Sequence, residues 1–265
     1  MQQASDFREE SLTLKTLIAD LDDAAFEKTT QFKSWTINDV FRHLHFWNKA
    51  VMVATEGDNA FAAFFEGVGA HMIKGGSLPE YEKAYLDGLS GGALREAWAS
   101  LVDETADAYA ALDPSSRVPW AGPSMSARSA ISARQMETWA HGQEVFDVLG
   151  ADREEHDRIR NIVVLGINTF GWTFKVRGET PPEPMPFVSL VSPSGEVWTY
   201  GESQQSNFIQ GDAVEFAQVV TQTRNIGDTS LTVVGDPASD WMSKAQCFAG
   251  GANSPPEKGS RFKAG

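Results

Sequence analysis

For the first 150 residues or so, apolar side chains recur at intervals of three and four and almost never alternate. That spacing is the signature of amphipathic helices packed on one another, and it leaves little room for a sheet. Leu12, Leu14, Leu17, Ile18 and Leu21 form the stripe of a first helix. A second begins in WTINDVFRHLHFWNKAVMVA, where Thr36 and Asp39 have the spacing of a capping box. A third is expected from Pro79 to Leu112, with Gly91 and Gly92 as a point where it can divide. The loop Asp113-Pro114-Ser115-Ser116 follows it. A fourth runs from Ser126 to Leu149 and stops at Gly150, a residue suited to a C-terminal cap. Four such segments predict a four-helix bundle, with the stretch from Gly67 to Gly76 as a crossover between the second and third helices.

Beyond Gly150 the pattern changes. Residues 153–177 still read as helix, and TPPEPMP ends it because proline has no N–H to donate. FVSLVSPSGEVWTYG predicts two short strands around a Pro193-Ser194-Gly195 turn, and SNFIQ a third. GDAVEFAQVVTQTR predicts a helix, SLTVVGD a strand, and PASDWMSKAQCFAG a closing helix that contains Cys247. The expected organisation is α+β: a bundle over 1–151, a smaller α+β domain over 152–249, and a flexible Gly- and Pro-rich tail over 250–265.

Composition narrows the function. Lys and Arg number 22 against 36 Asp and Glu, a formal charge of −14. Such a chain repels phosphate backbones and anionic lipid, so no nucleic-acid or membrane partner is expected. No run of about 18 apolar residues is present to span a bilayer. The N-terminal MQQASDFREESLTLKTL has no basic segment leading into an apolar one, and a single cysteine fits a reducing compartment, so a cytoplasmic location is expected. One cysteine also excludes an intramolecular disulfide framework and a multi-cysteine zinc site, and Cys247 reads as a small buried hydrophobe. The eight tryptophans read as core and pocket wall. No GxGxxG, P-loop or GxSxG is present to suggest nucleotide binding or serine hydrolysis.

The residues with chemical potential lie on two of the helices. Val40, His43, Leu44, Trp47 and Val51 share the apolar face of the second, while His45 points roughly 200° away. Ala133, Met136, Glu137, Ala140, His141, Glu144, Val145 and Val148 form the inward stripe of the fourth. An inward carboxylate needs compensation, from a metal, a basic partner or a proton. The metal reading takes His43, Glu137 and His141 as three ligands of a divalent ion, a set that leaves positions open for catalysis. Asp39, one turn before His43, is then the candidate acceptor behind its ring, and Glu144 a further outer carboxylate or fourth ligand. The plainer readings are a solvated Glu–His pair, a satisfied core histidine and a helix-start aspartate. His71 and His156 read as surface residues.

WTINDVFRHLHFW followed by ARQMETWAHGQEVFDVLG resembles the mycothiol-dependent maleylpyruvate isomerase family, whose N-terminal domain belongs to the DinB-like four-helix bundles. GDAVEFAQVVTQTRN and DTSLTVVGDPASDWMSKAQCFAGG are similar to the C-terminal part of an actinobacterial-type branch, a domain with a sterol-carrier-protein-like α+β fold. The resemblance implies a metal, usually zinc, on the histidine of the His-Leu pair and on Glu-x-x-x-His, which match His43, Glu137 and His141. It implies a low-molecular-weight thiol, mycothiol or similar, activated on that metal to attack a small electrophilic organic acid, in an isomerisation or S-transfer. The resemblance also implies that, as in the isomerase, an arginine of the C-terminal domain assists with the anionic substrate, and Arg224 is the candidate, the other role open to it being that of capping its helix end. The substrate pocket cannot be matched residue by residue. The rival readings are a non-catalytic binding protein, with an apolar ligand in the C-terminal domain and the bundle as metal-binding scaffold, and a metal-free relic of the fold. A homodimer is entertained as the assembly.

Overall fold

A computed structural model describes residues 1–265, which divide into two compact units, Met1–Val148 and Leu149–Gly265.

The first unit is helical. Its long helices are α1 (Gln2–Leu17), α2 (Ile37–Ala54), α5 (Gly91–Ala111) and α6 (Ala127–Leu149), with α3 (Asp58–Ile73) and α4 (Leu78–Tyr85) between α2 and α5. Two-residue strands β1 (Arg117–Val118) and β2 (Met125–Ser126) pair antiparallel and lead into α6. The capping box forms: Thr36 Oγ1 accepts from the Asp39 N–H at 3.1 Å, and Asp39 Oδ2 accepts from the Thr36 N–H at 3.0 Å. It fixes the first turn of α2 and therefore the direction of every side chain that follows. Helix α5 packs against both α1 and α2, and Phe41 meets Trp98 edge to face at 4.9 Å in the buried centre. Helix α6 faces α2 and is buried on most of its circumference, as expected of a central rod.

The stretch from Gly67 to Gly76 does lie in a long crossover between α2 and α5, and much of it is helix: α3 carries Gly67 and Gly69 within a regular run. DNAFAAFFEGVGAHMI is apolar nearly all round, so its stripe is blurred, and Ile73 remains 88 % exposed. The segment from Pro79 to Leu112 divides into two helices at the Gly91-Gly92 pair, as its sequence allowed. Asp87 and Gly88 adopt left-handed backbone (φ 50° and 71°), which ends α4 before Gly91 opens α5.

The second unit is α+β. A short 3₁₀ turn leads into α7 (Arg160–Asn168) and α8 (Phe170–Lys175), so the expected helix over 153–177 is shorter and broken near Thr169. Strands β3 (Phe187–Val191), β4 (Val197–Tyr200), β5 (Phe208–Asp212) and β6 (Thr232–Val234) form a sheet ordered β4-β3-β5-β6. Only β3 and β5 run parallel, with Phe187 opposite Phe208. Val188, Leu190 and Ile209 are buried, and α9 (Ala213–Val220) packs on β3 and β5. Asp212 caps α9 by accepting from the Val214 N–H at 2.7 Å. Helix α10 (Asp236–Met242) ends before Cys247. The cysteine is buried, as expected, but in an extended segment where its N–H donates to the Val220 carbonyl at 2.9 Å. The turn at Lys244 that carries it there satisfies the end of α9 instead of prolonging α10. Residues 250–265 contain no helix or strand and are tied by hydrogen bonds, including Asn225 to the Pro256 carbonyl and Arg261 to the Gln222 carbonyl, both 2.8 Å. No helix is long and apolar enough to cross a membrane.

Candidate metal centre

Two turns into α2, the face that buries Val40 and Leu44 also turns His43 inward. From α6, Glu137 and His141 present their heads one turn apart, as their spacing requires. Glu137 Oε2 lies 3.5 Å from His43 Nε2 and 3.3 Å from His141 Nε2. One ligand atom from each of the three falls within 4.8 Å of the others. A tetrahedral shell with metal–ligand distances of about 2.05 Å has edges of about 3.3 Å, which the two shorter separations match.

Behind the histidine stands a residue that the sequence reading did not select. Glu82, on α4, is fully buried, and its Oε1 lies 2.8 Å from His43 Nδ1 and 3.1 Å from Trp47 Nε1. Burial opposes protonation of His43, but the carboxylates of Glu82 and Glu137 outweigh it and raise the imidazole from 6.5 to about 9. Burial likewise opposes ionisation of Glu137, yet hydrogen bonds and charge from His141 and His43 hold its carboxyl well below the usual range. His141 is lowered, chiefly by burial, with the His43 charge adding to it. Arg134, one turn before Glu137, is buried and donates to Asn48 Oδ1 at 3.1 Å and to the Leu44 carbonyl at 3.3 Å; burial lowers it to about 10. Without a metal the cluster therefore holds a proton on His43 and a charge on Glu137.

The wall is aromatic. Trp35 lies 5.2 Å from His43 and stacks on His141, while Phe32 meets His141 edge-on at 5.1 Å. Both rings hang from a tight turn whose central residues, Lys33 and Ser34, have φ of 50° and 58°. Neither residue is glycine, so the turn carries backbone strain beside the cluster.

Among the other anticipated residues, Asp39 is engaged by the Thr36 N–H and hydroxyl and by Arg42 Nη1 at 3.2 Å, and Glu82 occupies the place behind His43. Glu144 is buried further along α6 and is outside the three-residue group. Arg224 follows α9 in the second unit, where its Nη1 donates to the Thr223 carbonyl at 2.9 Å.

A family profile described as the mycothiol maleylpyruvate isomerase N-terminal domain matches residues 7–146, the span that contains the whole cluster. The chain belongs to that family. Two relatives match over nearly the full length: uncharacterized proteins of Mycobacterium tuberculosis strains CDC 1551 and H37Rv, each 32 % identical over 255 residues, covering 96 % of this chain and 96 % of the relative. Two crystal structures share the fold of this mycothiol maleylpyruvate isomerase family member, those of the mycothiol-dependent maleylpyruvate isomerase and of a histidine-to-alanine mutant of it. Both are 17 % identical, cover 82 % of this chain and 87 % of theirs, and have TM-scores of 0.54 and 0.53.

Proposed function

We propose that this protein is a divalent-metal enzyme that uses a low-molecular-weight thiol, mycothiol or a close relative, to isomerise or S-conjugate a small electrophilic organic acid. The observation that carries the reading is the meeting of one carboxylate oxygen and two imidazole nitrogens within 4.8 Å of one another on two facing helices. The donor set of two histidines and one glutamate suits zinc and leaves an open coordination position. A divalent ion held there favours thiolate over thiol and so supplies a nucleophile at neutral pH. Glu137 is already ionised, and His141 is neutral at pH 7, so both offer lone pairs without prior loss of a proton. Trp35 and Phe32 close one side of the cluster against water. Arg224 is proposed to meet the substrate carboxylate, and Glu144 to serve as an outer carboxylate on α6. The cytoplasm, where small thiols stay reduced, is the proposed setting.

The rival reading, an apolar-ligand carrier, finds less support. An open surface depression of about 380 Å³ in the second unit is lined by Phe174 and Pro182 but also by Glu179, Asp236 and Asp240. Three carboxylates are poor company for a sterol-like ligand.

The decisive experiment is elemental analysis of the purified protein, followed by assay with mycothiol and maleylpyruvate. About one divalent ion per chain is expected, absent from the His43→Ala/His141→Ala double mutant. Full metal content in that mutant would remove the proposal.

A further inference from the structure

The second partner of His43 comes from neither long helix. Glu82 sits on α4, on a stripe that runs Leu78, Glu82, Leu86, and it has no exposure to solvent. Such a carboxylate is costly to bury and must be held for a reason.

The hydrogen atoms can be assigned from the heavy-atom positions. Trp47 Nε1 has only a proton to give, so Glu82 Oε1 accepts there, as a carboxylate oxygen does. The same oxygen lies 2.8 Å from His43 Nδ1, so Nδ1 must be the donor in that bond. With Nδ1–H committed to Glu82, the other ring nitrogen, Nε2, is the one left facing Glu137 and His141. A flipped ring, or one without its proton on Nδ1, would lose the bond to Glu82.

We propose that Glu82 is the positioning residue of the centre: it fixes the tautomer and orientation of His43 so that Nε2 is presented as the ligand. Trp47 holds Glu82 in turn. The arrangement is a carboxylate–histidine pair of the kind that orients metal-binding imidazoles and raises their basicity. The second oxygen of Glu82 has no hydrogen-bond partner, so the full cost of burying it is borne for the contacts made by the first. This inference rests on the metal reading above.

The test uses the full-length chain and zinc alone. Zinc affinity is measured by competition with a chelator for the wild type, Glu82→Gln and Glu82→Leu, with circular dichroism to check the fold. Glu82→Gln keeps shape and an acceptor but removes the charge; Glu82→Leu removes both. The expected order is wild type, then Gln, then Leu, with each step weakening binding and a total loss of about 10–100-fold. In the zinc-loaded wild type, nitrogen-15 NMR should show His43 with its proton on Nδ1, strongly shifted by the bond to Glu82; a merely structural glutamate would leave that signature unchanged on substitution. Should Glu82→Leu fail to fold, the Gln variant and the wild-type spectrum decide. Equal zinc affinities with an unchanged His43 spectrum overturn the role of Glu82 and leave the metal centre standing. A wild type that binds no zinc overturns both.

Discussion

Trp35 lies flat against His141, their planes 10° apart and their ring centroids 5.6 Å apart. An indole so close to a proposed ligand is a built-in reporter. Adding cobalt(II) should quench tryptophan emission in the wild type, and Trp35→Phe should remove most of that quenching while keeping metal stoichiometry. Equal quenching in both proteins would show that the ion binds elsewhere.

Metal uptake should release protons. His43 is raised to about 9, so near pH 7.5 it is largely protonated in the metal-free protein, whereas Glu137 is ionised and His141 neutral. Zinc must displace the His43 proton, and about one proton per ion should leave. Calorimetry in buffers of different ionisation enthalpy measures this number; a value near zero would contradict the protonation pattern.

The same pattern sets the pH dependence of stability without metal. The folded-state value of His43 lies above its unfolded one, so its contribution is complete below pH 6.5 and is lost as pH rises through about 9. Glu137 is shifted the opposite way, so its contribution is present above 4.5 and lost as pH falls through its folded value. Metal-free protein should therefore melt lower at pH 9.5 than at pH 6.5, and His43→Gln should flatten that limb. With zinc the trend should reverse over the same window, because proton and ion compete for one nitrogen. Melting curves with and without a chelator test both arms.

Removing the buried guanidinium of Arg134 leaves Asn48 Oδ1 and the Leu44 carbonyl short of a donor and takes a positive charge from beside Glu137. Arg134→Met should cost about 2–3 kcal/mol of stability, by the usual worth of buried hydrogen bonds to a charged group. Zinc affinity should fall less than it does on losing a ligand. Denaturant unfolding supplies the first quantity and chelator competition the second.

Much of this was legible from residue spacing. The apolar face of α2 picked out His43, although His45 on the other side is buried as well, and a separation of four placed Glu137 and His141 on one turn of α6. Glu82 was missed because LPEYEKAY looks like the polar start of a longer helix. Its signal was nonetheless available: Leu78, Glu82 and Leu86 are spaced by four, which places an acid in the middle of an apolar stripe. The backbone of Lys33 and Ser34 was beyond reach, since neither residue type marks a left-handed turn. Helix α3 was missed because an all-round apolar segment with two glycines has no face for periodicity to detect.

The path from α2 to α5 is long, and α3 and α4 could pass for spare length between two rods. The buried acid on α4 gives that detour a purpose. A shortened version joining Ala54 directly to Gly91 could still stack its long helices, but the imidazole at position 43 would be free to turn over, and the ion would lose a preset seat. Deletions in this stretch should therefore be far more damaging to metal loading than to helix content.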